Sequence, residues 1–242
     1  MGFPGERGLL NRSAANAADS DCWWRRRSKV RSTQHCRCKC PLTGPSTIAE
    51  AKRRFKDYTS GNRTAIHPSL RSAIFRTVIS EGDVSDYEAV KQEYYQTTSI
   101  DGKEICLQSL GRVQNPALAK DFLKFLFSDT VAVQDVHSGA ASLAANPKAR
   151  GVLWKYIKEN WDTVHQKLSG NSVVLDRFLR LSLSKFASHE VEEDISRFFS
   201  GKDNRGYDRS LGVISDTIRG NSNYKKRDEK LIMEWLSAHG YA

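Results

Sequence analysis

From about residue 46 to its end this 242-residue chain places apolar residues at helical spacing. The clearest run is Trp154, Ile157, Trp161, Val164 and Leu168. Steps of three and four put these side chains on one stripe of an amphipathic helix, while Lys155, Lys158, Glu159 and Lys167 face water. Start signals divide the rest. Thr47 and Glu50 form a capping box that opens the first helix. Pro68, a first-turn proline, opens a second that buries Leu70, Ile74 and Val78. Ser85, boxed with Glu88, opens a third carrying Tyr87, Val90 and Tyr94. Asn115-Pro116 and Asn146-Pro147 repeat one device, a side-chain N-cap followed by a proline whose missing N–H costs the first turn nothing. The first of these opens a helix with Leu118, Phe122 and Leu126; the second opens the Trp154 stripe. Later helices bury Leu175, Phe178, Leu179 and Phe186, then Val191, Ile195 and Phe198. The final two carry Tyr207, Leu211, Ile214 and Ile218, then Leu231, Trp235 and Leu236.

No strand pattern interrupts this series, so the expected class is all-α. About ten helices joined by short polar links pack as antiparallel neighbours, and many such pairs in a row build a superhelical solenoid of the HEAT or armadillo kind. A compact helical bundle is the alternative. A solenoid has a concave face, where a binding function would sit. The sequence repeat is too degenerate for a named repeat class. Residues 1–45 lack periodicity and combine Arg25-Arg26-Arg27 with Pro41, Gly44 and Pro45, which predicts a disordered tail ahead of a helical domain over 46–242.

Charge changes the picture less than its total suggests. The net charge is +10, but residues 1–45 carry +6 of it and leave +4 for the remaining 197. A nearly balanced body gives little counterion-release drive, which argues against nucleic acid as a partner. Apolar runs such as Val173-Val174-Leu175 fall short of the ~18 residues a membrane span needs. The N-terminus lacks a secretory apolar segment, so the expected location is cytoplasmic, with no membrane partner. Four of the five cysteines cluster at Cys22, Cys36, Cys38 and Cys40, and Cys106 lies in a helical pattern, so no disulfide framework is expected.

Candidate chemistry is sparse. His189-Glu190-Val191-Glu192-Glu193 is a near miss of the H-E-x-x-H zinc motif, with Glu193 where the second imidazole is needed; it reads as an acidic first turn behind a Ser188 N-cap. His35-Cys36-Arg37-Cys38-Lys39-Cys40 has ligands for one zinc but no second pair beyond a folded loop. His67, His137, His165 and His239 have no evident nucleophile partners. His137 precedes the small-residue run Ser138-Gly139-Ala140-Ala141-Ser142, which lets helices approach closely. No catalytic and no metal residue is therefore assigned. Arg177 and Arg180, three apart on one helix, are the candidate peptide-binding residues: one of them on the concave face could hold a peptide's terminal carboxylate in the bidentate geometry arginine favours.

Several stretches in a fixed order resemble the C-terminal helical domain of the gluzincin zinc aminopeptidases, the family of puromycin-sensitive aminopeptidase, aminopeptidase N and the endoplasmic-reticulum aminopeptidases. Ala51-Lys52-Arg53-Arg54-Phe55 and Pro68-Ser69-Leu70-Arg71 resemble its entry. Gln134-Asp135, Trp154 through Trp161-Asp162, and Arg177-Phe178-Leu179-Arg180-Leu181-Ser182 with Phe186 resemble its middle. Phe198-Phe199, Arg227-Asp228 and Trp235-Leu236 resemble its end. The likeness spans roughly 46–240 and is nearest to the cytosolic and fungal branch. The H-E-x-x-H and Gly-Ala-Met-Glu-Asn motifs of the family's catalytic domain are missing from the chain. The resemblance implies a bowl of helices that encloses the active site of a complete enzyme removing N-terminal amino acids from peptides. It implies no cofactor in this chain, zinc in the complete enzyme, peptides bound at the concave face, and a separate catalytic domain as partner. A non-enzymatic interaction scaffold using the same face is the alternative.

Overall fold

A computed structural model describes residues 44–240, all within one compact unit, Cys38–Ala242. The expected tail and its His35–Cys40 cluster lie outside the described residues, apart from its last two positions. The described residues form eleven α-helices and no strand. They are α1 (Pro45–Thr59), α2 (Pro68–Glu81), α3 (Val84–Gln96), α4 (Ile100–Leu110), α5 (Pro116–Leu126) and α6 (Val136–Ala145). Then come α7 (Pro147–Glu159), α8 (Trp161–Leu168), α9 (Ser172–Leu183), α10 (His189–Ser200) and α11 (Asp208–Ala238). Short 3-10 turns precede α2 (Arg63–Ala65) and α6 (Val133–Asp135). None of the described helices is long and apolar enough to cross a membrane.

The helices form two layers. In the first, α2 packs on α4, α4 on α6, α6 on α9 and α9 on α11. The second holds α1, α3, α5, α7 and α10, with α1 against α2, α3 against α4 and α10 against α11. Within this layer α4 and α6 run parallel, because Ser138 meets Glu104 and Ser142 meets Gln108 in the same order along the two helices. Arg76, ninth in α2, donates to Gln108, ninth in α4 (Nη2 to Oε1, 2.5 Å). Ser142 of α6 donates to the Gln108 carbonyl, and Asn221 of α11 donates to the carbonyl of Ser184, just past the end of α9.

The second layer is stitched by a recurring clamp in which an aromatic donor and a nearby cation meet one carboxylate on the next helix of the layer. Tyr87 and Lys91 both reach Asp121 at 2.7 Å. Trp154 and Lys158 reach Asp194 at 2.8 and 2.7 Å. Tyr58 and Arg63 share Glu93, whose buried carboxylate needs both partners to offset its lost hydration. The aromatic-to-acid separations are 34, 40 and 35 residues. A helix-pair repeat therefore exists in the contacts although the sequence hides it.

Caps explain where several helices begin. Asn115 and Asn146 cap α5 and α7 through their Oδ1 atoms, and Pro68, Pro116 and Pro147 occupy first turns, as the spacing predicts. Ser188 caps α10 as read. The Thr47–Glu50 box does not form: α1 starts at Pro45, and Glu50 is taken by Arg53 and Arg54 at 2.7–2.8 Å. The box at α3 is Asp83 with Asp86 instead of Ser85 with Glu88, because a carboxylate acceptor also meets the positive end of the helix dipole.

Three packing expectations also change. The Trp154 stripe is one buried surface on two helices, broken at Asn160, whose side chain donates back to the Tyr156 carbonyl. The break turns Trp161 onto Phe199, with ring centres 5.1 Å apart, inside a cluster that also holds Trp154 and Phe198. Edge-to-face pairs of this kind add about 0.5–1.5 kcal/mol each beyond area burial. The final two helices are one 31-residue helix, with Lys225–Glu229 and Lys230–Glu234 pairs along its far half. Leu70 is 46% exposed, because the α2 face toward the core is filled by Ile74, Phe75, Val78 and Ile79. Leu231 and Trp235, on the far half of α11, are also exposed.

Candidate functional site

The small residues of α6 set the geometry of the first layer. A side chain at Gly139 would put its Cβ 2.7 Å from a Leu126 methyl and 2.9 Å from the Phe122 ring, so α5 sits close behind α6. Most of α6 is thereby buried, and its partly accessible side chains are His137, Ala141 and Ala145, four apart on one stripe. Two of the three are alanines. This stripe belongs to the helix that packs against both α4 and α9.

Polar groups of α2, α4 and α6 meet nearby. Arg76 donates to Gln108, Gln108 Nε2 to Glu104 Oε1 (2.7 Å), and Ser138 Oγ to the same Glu104 oxygen (3.3 Å). His137 of α6 feels the charges of Arg177 on α9 and of Glu104 and Asp135. Burial, and then the positive charge of Arg177, hold its imidazole below the ordinary histidine value, while a hydrogen bond with the Gln134 backbone and the charges of Glu104 and Asp135 pull the other way. It is therefore mostly neutral at pH 7. Burial, helped by the Glu104 charge, pushes the Asp135 carboxyl up from the usual carboxylate range. A seam thus crosses four helices, from Arg76 on α2 to Arg177 on α9, acidic in the middle and cationic at both ends.

The two arginines singled out from sequence part company here. Arg180 turns back to Asp176 on its own helix, Nε to Oδ2 at 3.8 Å. Arg177 is exposed and has no hydrogen bond or ion pair with any described residue. Its five guanidinium donors have no partner among the described residues, and a carboxylate is the group whose geometry matches such a fork. Glu104, Gln108 and Ser138 were not legible as site residues. Glu104 and Gln108 are spaced as any exposed helical pair, and their meeting with α2 and α6 is tertiary.

His67, His239 and the near-miss motif have structural places. His67 Nδ1 accepts from the Ser69 N–H at the start of α2, and His239 stacks on Trp235 at 4.0 Å. In the His189–Glu193 stretch, Glu192 is buried and bonded to Ser215 and Arg219 of α11, whereas Glu193 is exposed. Among the described residues, no three His, Cys, Asp or Glu side chains gather closely enough to hold a metal ion.

Residues 13–220 match the family described as ERAP1-like C-terminal domain. The match begins well before residue 46, where the resemblance starts by inspection, and stops short of the far half of α11. Among curated proteins the chain is similar to Aminopeptidase 2 of Candida albicans, 33% identical over 198 residues, covering 81% of this chain and 21% of that protein. It is similar to Aminopeptidase 2, mitochondrial, of Saccharomyces cerevisiae, 32% identical over 202 residues, 84% of this chain and 21% of that one. The likeness extends to human Aminopeptidase N at 18% identity over 180 residues, 73% of this chain and 19% of that protein. The chain spans about a fifth of the length of these relatives.

Proposed function

Because this chain belongs to the ERAP1-like C-terminal domain family, we propose that it is the non-catalytic, substrate-enclosing helical domain of a zinc aminopeptidase, whose reaction centre is supplied by polypeptide outside this sequence. The complete enzyme removes N-terminal amino acids from peptides, in the cytoplasm. In the complete enzyme, zinc would be held by that catalytic part. The role of this chain is physical: the first layer is a wall, its concave side facing the peptide, that limits access, excludes water and grips the far end of the substrate.

One observation carries this reading. Arg177 is an exposed guanidinium without a partner among the described residues, beside a seam in which Arg76, Gln108, Glu104 and Ser138 are hydrogen-bonded to one another. It is the anchor for the peptide's terminal carboxylate, and Arg180, held toward Asp176, is the lesser contributor.

The test compares a peptide carrying a free terminal carboxylate with its carboxamide, by calorimetric titration of the full chain. A charge-assisted bidentate pair is worth about 1.5–3 kcal/mol, so amidation or Arg177→Ala should weaken binding by about tenfold or more, and Arg180→Ala by much less. Equal binding of acid and amide would reject the anchor. Chelator-sensitive hydrolysis of aminoacyl amides by the purified chain would reject the assignment of chemistry to another part.

A further inference from the structure

A cavity of about 240 Å³ opens where the turn between α2 and α3 meets the turn between α4 and α5. No residue of the Arg76-to-Arg177 seam lines it. Ile79, Tyr87 and Val113, all buried, form its inner lining, and Val84, 54% exposed, lies where it meets solvent. The Tyr87 hydroxyl is bonded to Asp121, so what that side chain has left for a ligand is its ring. An apolar space of about 150 Å³ already takes up benzene, so this one has room for a branched aliphatic or aromatic body with a small head group.

The polar part of the lining is rich in acceptors. Asp83 Oδ1 takes the Ser85 and Asp86 N–H groups at 2.8 and 3.2 Å and the Ser85 hydroxyl at 2.7 Å, while Oδ2 accepts from no described residue. Gln114 donates Nε2 to the Arg112 carbonyl at 3.0 Å, and its Oε1 has no donor among the described residues. Asn115, whose Oδ1 caps α5, adds one donor, Nδ2. The turn carrying Asp83 is fixed in shape: the Asp86 carboxylate accepts from the Asp83 N–H, and a Cβ at Gly82 would come 2.3 Å from the Val78 carbonyl oxygen. Hydrogen bonds from the Ser85 hydroxyl, and then from the Asp86 and Ser85 backbone, hold the Asp83 carboxyl below the usual carboxylate range, so it is charged at pH 7. Lys52, the cation that acts on Asp83, has its Nζ on the Glu81 carbonyl at 2.6 Å. Two open acceptors, one of them charged, match a cation with several donors, and an ammonium carries three donors and no acceptor.

We propose that this cavity binds a primary ammonium carried on a branched aliphatic or aromatic body, with the nitrogen on Asp83 and Gln114 and the body against Ile79, Tyr87 and Val113. A free amine and the N-terminal residue of a peptide share that chemistry. The site stands on its own residues and does not depend on the proposed function.

The experiment titrates the full chain, by calorimetry and amide-resolved NMR, with leucinamide, with N-acetyl-leucinamide, which lacks the charge, and with glycinamide, which lacks the body. Leucinamide should bind saturably and shift the Val84 and Gln114 amides. The other two should bind about tenfold more weakly or worse, because a charge-assisted hydrogen bond and a buried aliphatic side chain each contribute at least that factor. Asp83→Asn keeps a side-chain cap on α3 and removes the charge, so the thermal midpoint should stay near wild type while leucinamide binding falls about tenfold. Gln114→Ala, in the other turn, should weaken it about threefold or more. A leucyl tripeptide amide that binds as leucinamide does extends the site to peptide N-termini, and one that does not confines it to small amines; both outcomes support the site. Unsaturable leucinamide binding, equal binding of the acetylated compound, shifts centred elsewhere, or wild-type binding by both variants would overturn the inference and leave the proposed function untouched.

Discussion

Asn115 and Asn146 occupy the same position in the same dipeptide, yet truncating them should have unequal costs. In both, Oδ1 accepts from the backbone N–H two residues on, at 2.9 and 3.1 Å. Asn146 does more. It is 2% exposed, and its Nδ2 donates to the carbonyls of Val113 and Gly111 at 2.7 and 3.3 Å, tying the start of α7 to the turn between α4 and α5. Asn115 is exposed and caps only its own helix. Losing a cap costs about 1 kcal/mol. Each further hydrogen bond adds about 1 kcal/mol, with more where a buried carbonyl is left unpaired. Asn115→Ala should therefore cost about 1 kcal/mol and Asn146→Ala about 3 kcal/mol. For a chain of this size that corresponds to shifts of about 2–4 and 6–12 °C in thermal midpoint. Circular dichroism melts of the two variants beside wild type measure this. Equal shifts would refute the claim that the amide of Asn146 supports the turn across the helix pair.

Other outcomes follow from the same contacts. Gly111→Ala would place a Cβ 2.5 Å from Ser142 Cβ and 2.8 Å from the Leu143 backbone nitrogen, so the chain must shift; a loss of about 1–3 kcal/mol in urea unfolding is expected, and an unchanged midpoint would contradict the close approach of α4 and α6. The Asp194 carboxyl is held below the usual range by Lys158 and Trp154, and Glu192 by Ser215 and Arg219. A lowered folded pKa means stability that is present above the unfolded value near 4 and lost as pH falls through the folded one. The melting temperature should hold from pH 7 to about 5 and then decline, and Asp194→Asn should decline less steeply; identical slopes would remove Asp194 from the account. Burial pushes the Cys106 thiol up to about 12, so in native protein it should resist iodoacetamide at pH 8 and react only after denaturation, as read by peptide mass mapping.

What could be read along the chain was what neighbouring residues decide among themselves. A proline after asparagine sets a helix start because the cap and the missing N–H act within one turn, and Pro116 and Pro147 stand where expected. Buried positions with regular spacing, such as Tyr87, Val90 and Tyr94, were legible for the same reason. The all-α class followed, as did Arg177 and Arg180 as a neighbouring pair. Folding in three dimensions settled the rest. Asn160 breaks the tryptophan stripe, and the break sets Trp161 against Phe199, a residue more than thirty positions further along the chain. Leu70 and Leu231 fit helical periodicity yet face outward, because periodicity names a face without saying whether anything packs on it. The aromatic and cation clamps and the Arg76-to-Arg177 seam join residues on helices that are not consecutive. Such contacts depend on which helices become neighbours, and neighbours are chosen by shape and burial over the whole domain.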